Sequence, residues 1–486
     1  MDEAADGTTL SNGQSVAWQT ELDEDAGHAH GAPIAAGEPC GQALYRRPLR
    51  VLLDARPSTG PGTGISRYAR SLARVVAQGV AGPDLRALEL GLGAGAGPLA
   101  GRLGAEFDGP AEEALRLPAL LEREGVDVFH SPLFHLPPVL PAGVRAIVTI
   151  HDAIPAVRPD LTSPGFARLF AAEAGSAARR AARVVCPSAH ARDEVQRALG
   201  VPAERLRVVP EAPDPVFHRP EGARLAPQEQ TALRAYGLEP GGFVLAVGSL
   251  ERRKGPDLVL AAFARLGGTD AGTGAAGGAS VLRCVFAGPA AGFDLQAEAA
   301  RHGVADRVLA LGHVPDETLV ALYAGALALV FPSRHEGFGL PVVEAFAAGA
   351  PVVAARATSL PEVAGDAALL VAPEDPAALA DAIARLVTSP ALADDLRRRG
   401  RERLAACFTE GHVRASLAAL YAELAPDARD DDLRDPPRDE LLARPHAHEG
   451  PDALDHAQGE RARTDPADGA SARPPACPRP GPTWPQ

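Results

Sequence analysis

Residues 331–344 read Phe-Pro-Ser-Arg-His-Glu-Gly-Phe-Gly-Leu-Pro-Val-Val-Glu, and this stretch decides the fold. It follows an aliphatic run and places Glu336 and Glu344 eight positions apart, with two glycines and a proline between them. The glycines break the segment into a tight loop, and the proline suits the first turn of a helix, where a missing N–H costs nothing. The pattern therefore predicts a strand, a glycine loop and a helix that carries the second acid.

The start of that helix is predicted to bind an anion such as a diphosphate. Backbone N–H groups and the positive end of the helix dipole would both point at the ligand. The predicted donors are Gly337, Phe338, Gly339 and Leu340. Glu344 would then suit a ribose diol and Glu336 a transferred sugar. The alternative is structural: Glu336 caps the loop and Glu344 is a first-turn acid favoured by the helix dipole.

A second group of charged residues follows another predicted strand, in Leu245-Ala-Val-Gly-Ser-Leu-Glu-Arg-Arg-Lys-Gly255. Arg253 and Lys254 lie in the loop before a predicted helix over residues 257–266, and Lys254 is the only lysine of the chain. Two cations at the carboxyl edge of a parallel sheet can neutralise a diphosphate leaving group. The alternative is a solvated basic loop.

Aliphatic runs alternate with Ala-rich helical patterns along the chain, which predicts repeated βα units. Five strands are expected in the first half, at residues 50–54, 126–130, 146–150, 183–187 and 206–209. Five more are expected in the second half, at residues 243–248, 282–287, 308–311, 327–331 and 351–354. The fold class is therefore α/β, with two Rossmann-like, doubly wound parallel sheets that face a cleft. A Pro-rich stretch, Pro210 to Pro220, is the predicted connection.

The predicted domain organisation has five parts. They are a disordered tail at 1–47, a first Rossmann-like domain at 48–215, a second Rossmann-like domain at 216–410, a helix at 411–425 that packs back on the first domain, and a disordered acidic, Pro-rich tail at 426–486. Histidines in the tails (His28, His30, His446 and His448) could hold metal adventitiously, although solvated low-complexity tails are the preferred interpretation.

Charge and cysteine content exclude several classes of protein. The formal net charge is −14, and most of it belongs to the two tails, so a basic field for nucleic acid is absent. Five scattered cysteines without metal-ligand spacing indicate reduced thiols and a cytoplasmic location. The sequence has no apolar run of 18 residues that would predict a transmembrane helix, and its acidic start is unlike a secretion signal.

The two carboxylates at Glu-x7-Glu spacing and the Arg-Lys pair resemble the signature of the retaining glycosyltransferases of family 4, which have the GT-B fold. A third match is Gly60-Pro-Gly-Thr-Gly64-Ile-Ser-Arg-Tyr68, which is similar to the Thr-Gly-Ile-Gly-Arg-Tyr element of that family. Ser66 replaces its second glycine, and Ser249 stands where some relatives carry another Arg. The resemblance extends from about residue 51 to residue 424. It implies that the first domain, at 48–215, lies on the acceptor side and that the second, at 216–410, binds the nucleotide sugar.

The resemblance implies roles for individual residues. Glu336 would contact the donor sugar and Glu344 the ribose, while Arg253 and Lys254 would grip the phosphates. His151, at the end of a predicted strand, would project into the cleft near the reacting carbon; the alternative is a structural His bonded to the backbone. The remaining predicted contacts are Gly64 over the cleft, backbone groups around Val314 at the base, and His130 on the acceptor side.

The expected activity is retaining transfer of a hexosyl group, with mannose favoured, from a nucleoside-diphosphate sugar to a saccharide or lipid-linked acceptor. We expect no metal and no other cofactor, because Arg253, Lys254 and the helix dipole supply the charge that a metal would. A lipid-linked acceptor would make the protein peripheral to the membrane, although the Arg-rich stretch at 166–183 is more simply a solvated face. The alternatives are a sugar-nucleotide hydrolase or epimerase of the same fold, and a non-catalytic nucleotide-sugar-binding protein.

Overall fold

A computed structural model describes residues 48–59, 64–78, 80, 85–91, 102–104, 110–267, 270–273 and 279–425. Residues 1–47 and 426–486, predicted above to be tails, therefore lie outside the described residues, as do His28, His30, His446 and His448. Within the described ranges the chain forms alternating strands and helices, as the βα pattern predicts.

The strands are numbered in chain order. They are β1 (Leu49–Asp54), β2 (Leu85–Gly91), β3 (Arg102–Gly104), β4 (Val128–Ser131), β5 (Arg145–Thr149), β6 (Arg183–Cys186), β7 (Leu206–Val208), β8 (Phe243–Val247), β9 (Asp270–Thr273), β10 (Ala279–Val281), β11 (Arg283–Ala287), β12 (Val308–Gly312), β13 (Ala328–Phe331), β14 (Val352–Ala355) and β15 (Leu369–Val371).

The α-helices are numbered in the same way. They are α1 (Gly64–Ala77), α2 (Pro110–Arg123), α3 (Ile154–Val157), α4 (Pro164–Arg180), α5 (Ala189–Leu199), α6 (Pro227–Ala235), α7 (Pro256–Arg265), α8 (Leu295–Arg301), α9 (Asp316–Gly325), α10 (Leu340–Ala348), α11 (Leu360–Ala364), α12 (Pro376–Thr388), α13 (Pro390–Cys407) and α14 (Glu410–Ala422).

Two parallel sheets carry the architecture. In the described part of the chain the first sheet has the strand order β3-β2-β1-β4-β5-β6-β7, and the second has the order β12-β11-β8-β13-β14-β15. In each sheet the strand order reverses direction next to a central strand. The reversal lies between β1 and β4 in the first sheet and between β8 and β13 in the second. Ligands of open α/β sheets bind at such switch points, outside the carboxyl ends of the strands.

The structure corrects the predicted number of strands. The ten expected strands are present, with ends that differ by one or two residues, but β2, β3 and β15 extend the two sheets, and β9 pairs with β10 in a separate antiparallel ribbon. The prediction missed β3, β10 and β15 because they are only three residues long, too short for a periodic pattern. In β2, the charged residues Arg86 and Glu89 interrupt the aliphatic run.

Both faces of each sheet are covered, which explains the nearly continuous aliphatic strands. In β1, Leu52 packs into a cluster on one face, while Val51 and Leu53 pack into a cluster on the other. In β8, Val244 and Leu245 divide between two clusters in the same way. Ala, Val and Leu supply most of these cores, as the low aromatic content predicts.

The last described helix, α14, packs with the first sheet. Its buried residues Val413, Leu417, Leu420 and Tyr421 share one hydrophobic cluster with β1 and α1. The chain therefore passes through the second sheet and then returns to the first.

Among the described residues, no helix has both the length and the apolar character needed to cross a membrane.

Candidate active site between the two sheets

The predicted glycine loop connects β13 to α10, at the carboxyl edge of the second sheet. Gly339 precedes α10 with φ of +114°, a backbone conformation that side chains with a Cβ rarely adopt. Ser359 fixes the loop because its Oγ lies 2.9 Å from the carbonyl of Glu336 and 2.8 Å from that of Phe338. The Glu336 N–H donates to Thr358 Oγ1 at 3.0 Å, and Thr358 itself has φ of +51°. The loop is therefore held at several points along its backbone.

Glu336 meets both predicted cations. Lys254 Nζ lies 2.8 Å from Glu336 Oε1, and Arg253 Nη1 lies 3.4 Å from the same atom. Burial by itself would raise the pKa of Glu336, but the two cations lower it below the ordinary value, so the carboxylate is charged. Arg253 also donates to the carbonyl of His335 at 3.2 Å and pairs with Glu251 at 2.6 Å. The structure thus brings the Glu336 carboxylate next to two cations, of which the nearer in sequence, Lys254, lies 82 positions before it.

Gly337 lies against the first half of the chain. A Cβ at this position would be 1.8 Å from the carbonyl oxygen of His151, and the hydroxyl of Ser188 donates to the Gly337 carbonyl at 2.6 Å. The sequence predicts that this glycine lets a diphosphate approach the backbone. In the structure the main-chain carbonyl of His151, just after β5, lies close to this glycine instead.

Glu344 is fully buried in α10 and has protein partners on both oxygens. Arg67 Nη1, from α1, lies 3.0 and 3.3 Å from its two oxygens, and the hydroxyl of Tyr323 donates to it at 3.0 Å. Burial raises the pKa of Glu344 to about 7, although Arg67 and Tyr323 favour the charged form. Arg67 Nη2 also pairs with Asp316 at 2.5 Å. Glu344, which is predicted to bind the ribose, therefore forms an ion pair with Arg67 from the first half of the chain.

His151 departs from the predicted orientation. Its Nδ1 lies 3.1 Å from Glu211 Oε1, and its Nε2 lies 3.1 Å from the carbonyl oxygen of Pro132. Both partners offer acceptor oxygens, and this arrangement favours the charged imidazole, in which both ring nitrogens donate. Burial would lower the pKa of His151, but Glu211 raises it above its usual value. In this arrangement the ring has no nitrogen free for a sugar, which agrees with the structural alternative given above. The main-chain carbonyl of His151, and not its ring, lies against the loop at Gly337.

Two family models match the chain: "Glycosyltransferase Family 4" over residues 63–217 and "Glycosyl transferases group 1" over residues 231–403. The 2-deoxystreptamine glucosyltransferase of Streptomyces kanamyceticus is 31% identical over 58% of this chain and 71% of that protein. The chain belongs to glycosyltransferase family 4. This confirms the resemblance drawn from the Glu-x7-Glu segment and the Arg-Lys pair.

Other relatives of this family 4 glycosyltransferase differ more in length or sequence. The serotype-specific mannosyltransferase WbdA of Escherichia coli is 28% identical over 63% of this chain, which spans only 38% of that protein. Among solved structures, Anabaena Alr3699/HepE in complex with UDP-glucose has a TM-score of 0.58 at 17% identity, over 77% of this chain and all of that one. The likeness confirms the predicted GT-B fold, with two Rossmann-like halves.

The other predicted donor contacts of the chain have different environments. The side chains of Val314, Phe338 and Leu340 are buried in one hydrophobic cluster, so any contact with a ligand would come from their backbone. Gly64 is the first residue of α1, and a Cβ there would have no described atom within 4 Å. The roles assigned to these residues stay predictions.

His130 is not on an accessible acceptor side, which corrects the prediction. It is a fully buried residue of β4, and its Nδ1 lies 2.8 Å from the hydroxyl of Tyr421 on α14. Burial lowers its pKa to about 3, so the ring is neutral. The prediction was wrong because the position of a residue at the end of a strand does not show whether another element covers its side chain. In this structure α14 covers the side chain of His130.

The sequence analysis missed several polar residues that join the two halves of the chain. Arg67 lies within the quoted glycine segment, and Asp316 and Tyr323 follow Val314, but no local pattern pairs them with Glu344. Glu362 accepts hydrogen bonds from the first two N–H groups of α5, at 2.8 and 3.1 Å, which gives that helix an acidic cap from the other half.

Proposed function

We propose that this chain is a retaining glycosyltransferase that moves a hexosyl group from a nucleoside-diphosphate sugar to a saccharide or lipid-linked acceptor. The observation that carries the proposal is the cluster of Arg253, Lys254 and Glu336 beside the amino end of α10. It combines two cations for a leaving diphosphate with a carboxylate for sugar hydroxyls, at the switch point of the second sheet.

The reaction follows from these charges. The bond between the anomeric carbon and the phosphate oxygen breaks while negative charge grows on the diphosphate, and Arg253 and Lys254 stabilise that charge. Glu336 then exchanges its cationic partners for hydroxyl groups of the sugar. The acceptor oxygen attacks from the face that the phosphate leaves, and its proton passes to a phosphate oxygen. Configuration is retained, and neither a protein base nor a metal is required.

Mannose is the favoured sugar. The name of the Escherichia coli relative WbdA specifies mannosyl transfer, and the Arg-Arg-Lys-Gly segment resembles that of mannosyltransferases in polysaccharide assembly. Other similar proteins are a glucosyltransferase and a structure that contains UDP-glucose, so the donor must be tested directly. A thermal-shift panel of GDP-mannose, UDP-glucose and the free nucleotides should give its largest stabilisation with GDP-mannose. A larger shift with UDP-glucose would contradict the choice of mannose alone.

Transfer itself is tested with the stabilising donor, in the presence and absence of an acceptor extract and with EDTA. We expect product to form only with the acceptor and to persist in EDTA, with the same anomeric configuration as the donor. Cleavage of the donor without acceptor would identify a hydrolase, epimerised donor would identify an epimerase, and binding without turnover would identify a binding protein.

The assignment of Glu336 is tested by Glu336→Gln, which keeps the shape and removes the charge. We expect transfer to fall by roughly two to three orders of magnitude, as for other transition-state contacts. Glu317→Gln, at an exposed position in the first turn of α9, is the matched control and should keep full activity. Full activity of Glu336→Gln would exclude this role.

A further inference from the structure

A cluster of potential metal ligands lies at the junction of the two halves. His190 and Glu194 are one turn apart on α5 in the first half, and His335 belongs to the loop after β13 in the second. One ligand atom from each residue lies within 4.8 Å of the other two. Glu194 and His335 are 141 positions apart, so the sequence pattern alone predicts no metal site here.

The distances suit a small divalent cation. Glu194 Oε2 lies 2.7 Å from His335 Nε2 and 3.3 Å from His190 Nε2. In a tetrahedral zinc site with bonds of about 2.0–2.1 Å, neighbouring ligand atoms are about 3.3 Å apart. To reach this spacing, the Glu194–His335 pair must open by roughly half an ångström, and the ligand nitrogens of His190 and His335, which lie within 4.8 Å of each other, must also approach it. Two imidazoles and one carboxylate are also a common ligand set for zinc.

The surroundings support a cation at this point. Nε2 of His190 is buried and makes no hydrogen bond among the described residues, although Glu194 is close to it. The second oxygen of Glu194 accepts the N–H of Ala153 at 3.2 Å, which orients the carboxylate as an outer-shell partner would. The nearby charge of Arg253 is already paired with Glu251 and Glu336.

The site is also accessible. The side chain of His190 is 27% exposed, whereas those of Glu194 and His335 are 4% and 10% exposed. The side chain of His190 thus reaches the surface although its Nε2 is buried, so a cation would enter by a movement of this ring and a water molecule would supply the fourth ligand. We propose that His190, Glu194 and His335 form a zinc site that ties α5 to the loop carrying Glu336. The charge of the zinc ion would act at this junction and not at the donor phosphates. The proposal therefore does not depend on the transfer mechanism above.

The test measures binding of Zn²⁺ to the full chain by titration calorimetry, with Co²⁺ as a spectroscopic substitute. The background variant carries the substitutions His28→Gln, His30→Gln, His446→Gln, His448→Gln and His456→Gln, which remove the tail histidines as competing ligands. We expect one equivalent of Zn²⁺ to bind and a visible band typical of four-coordinate Co²⁺. At a hundredfold excess over Kd, the unfolding temperature should rise by roughly 5 °C.

Removing one ligand should abolish this binding. His190→Ala is expected to weaken it by more than roughly 100-fold, because even outer-shell partners account for about 10–100-fold. The matched control is His302→Ala, since His302 and Glu298 form another His–Glu pair one helical turn apart, at 3.3 Å. It should leave binding unchanged. The unfolding temperature without metal shows that both variants fold.

The proposal is overturned if the background variant binds no Zn²⁺, or if His190→Ala and His302→Ala weaken binding equally. Glu194→Gln provides a second test: it changes the ligand that lies next to both imidazoles, and it should also abolish metal binding. Retained binding in Glu194→Gln would also overturn the site. None of these measurements uses a sugar nucleotide, so a failed zinc site and a failed transferase proposal are distinguishable.

Discussion

Arg67 is the residue whose importance the structure reveals most clearly. It lies 277 positions from Glu344, and its side chain is only 10% exposed. The pair joins α1 of the first half to α10 of the second, at the acid predicted to hold the donor ribose. If Glu344 binds ribose, Arg67 must release it first, so donor binding would be coupled to rearrangement of this contact.

At the residue scale, we predict that Arg67→Met lowers the free energy of unfolding by an amount that increases with pH. The pKa of Glu344 is about 7, so its carboxyl group is largely neutral below pH 7 and largely charged above pH 7. Arg67 stabilises the charged form. Without Arg67 that pKa rises further. The loss in free energy of unfolding should therefore grow by about 1.4 kcal/mol from pH 7 to pH 8. Chemical denaturation at pH 6, 7 and 8 measures it.

The double variant Arg67→Met/Glu344→Gln is the control for this ion pair. Removing one partner of a buried pair typically costs about 3–5 kcal/mol, whereas removing both costs much less. The second substitution should therefore recover most of the stability and remove the dependence on pH above 7. A penalty that is equal at all three pH values would contradict a charged Glu344.

At the element scale, the loop between β13 and α10 is held from both sides. Ser359 binds its carbonyls from the second half, and Ser188 and the carbonyl of His151 contact Gly337 from the first. The glycine segment was correctly predicted as a loop before a helix. Its close contact with the other half could not be predicted, because a glycine permits close approach without specifying what approaches.

We predict that Gly337→Ala separates the two halves at this loop. The added Cβ would lie 1.8 Å from a backbone oxygen, so the main chain must move and the free energy of unfolding should fall by about 1–3 kcal/mol or more. Gly64→Ala, where the Cβ meets open space in a helical backbone, should be neutral or slightly stabilising. Small-angle scattering should show expansion for Gly337→Ala alone. An unchanged stability would contradict the observed contact.

At the scale of the whole molecule, α14 links the end of the described chain to its beginning. Leu417 and Tyr421 are fully buried in the cluster that contains β1 and α1. The Tyr421 hydroxyl also contacts the neutral ring of His130 below the sheet. The first sheet therefore completes its core only when residues more than 350 positions later have folded onto it.

We predict that Leu417→Ala destabilises the first half of the molecule. Truncation of a fully buried Leu costs about 2–5 kcal/mol, because apolar burial is lost and a cavity remains. Amide hydrogen exchange should increase in β1 more than in β8, which packs elsewhere. Leu115→Ala, on a side chain that is 79% exposed, should change stability by less than about 0.5 kcal/mol. Faster exchange confined to β8 would contradict this packing.

The sequence by itself determined the α/β class, most of the longer strands and the family. These follow from local rules: aliphatic runs predict buried strands, glycine and proline predict the loop and helix start, and the Arg-Lys and Glu-x7-Glu spacings carry the family signature. Only the tertiary structure decided the partners of the polar groups: Lys254 with Glu336, Arg67 with Glu344, His335 with Glu194 and His130 with Tyr421. These partners are 82 to 291 positions apart, and their meeting depends on how two sheets pack against each other, a relation between surfaces that no local spacing encodes.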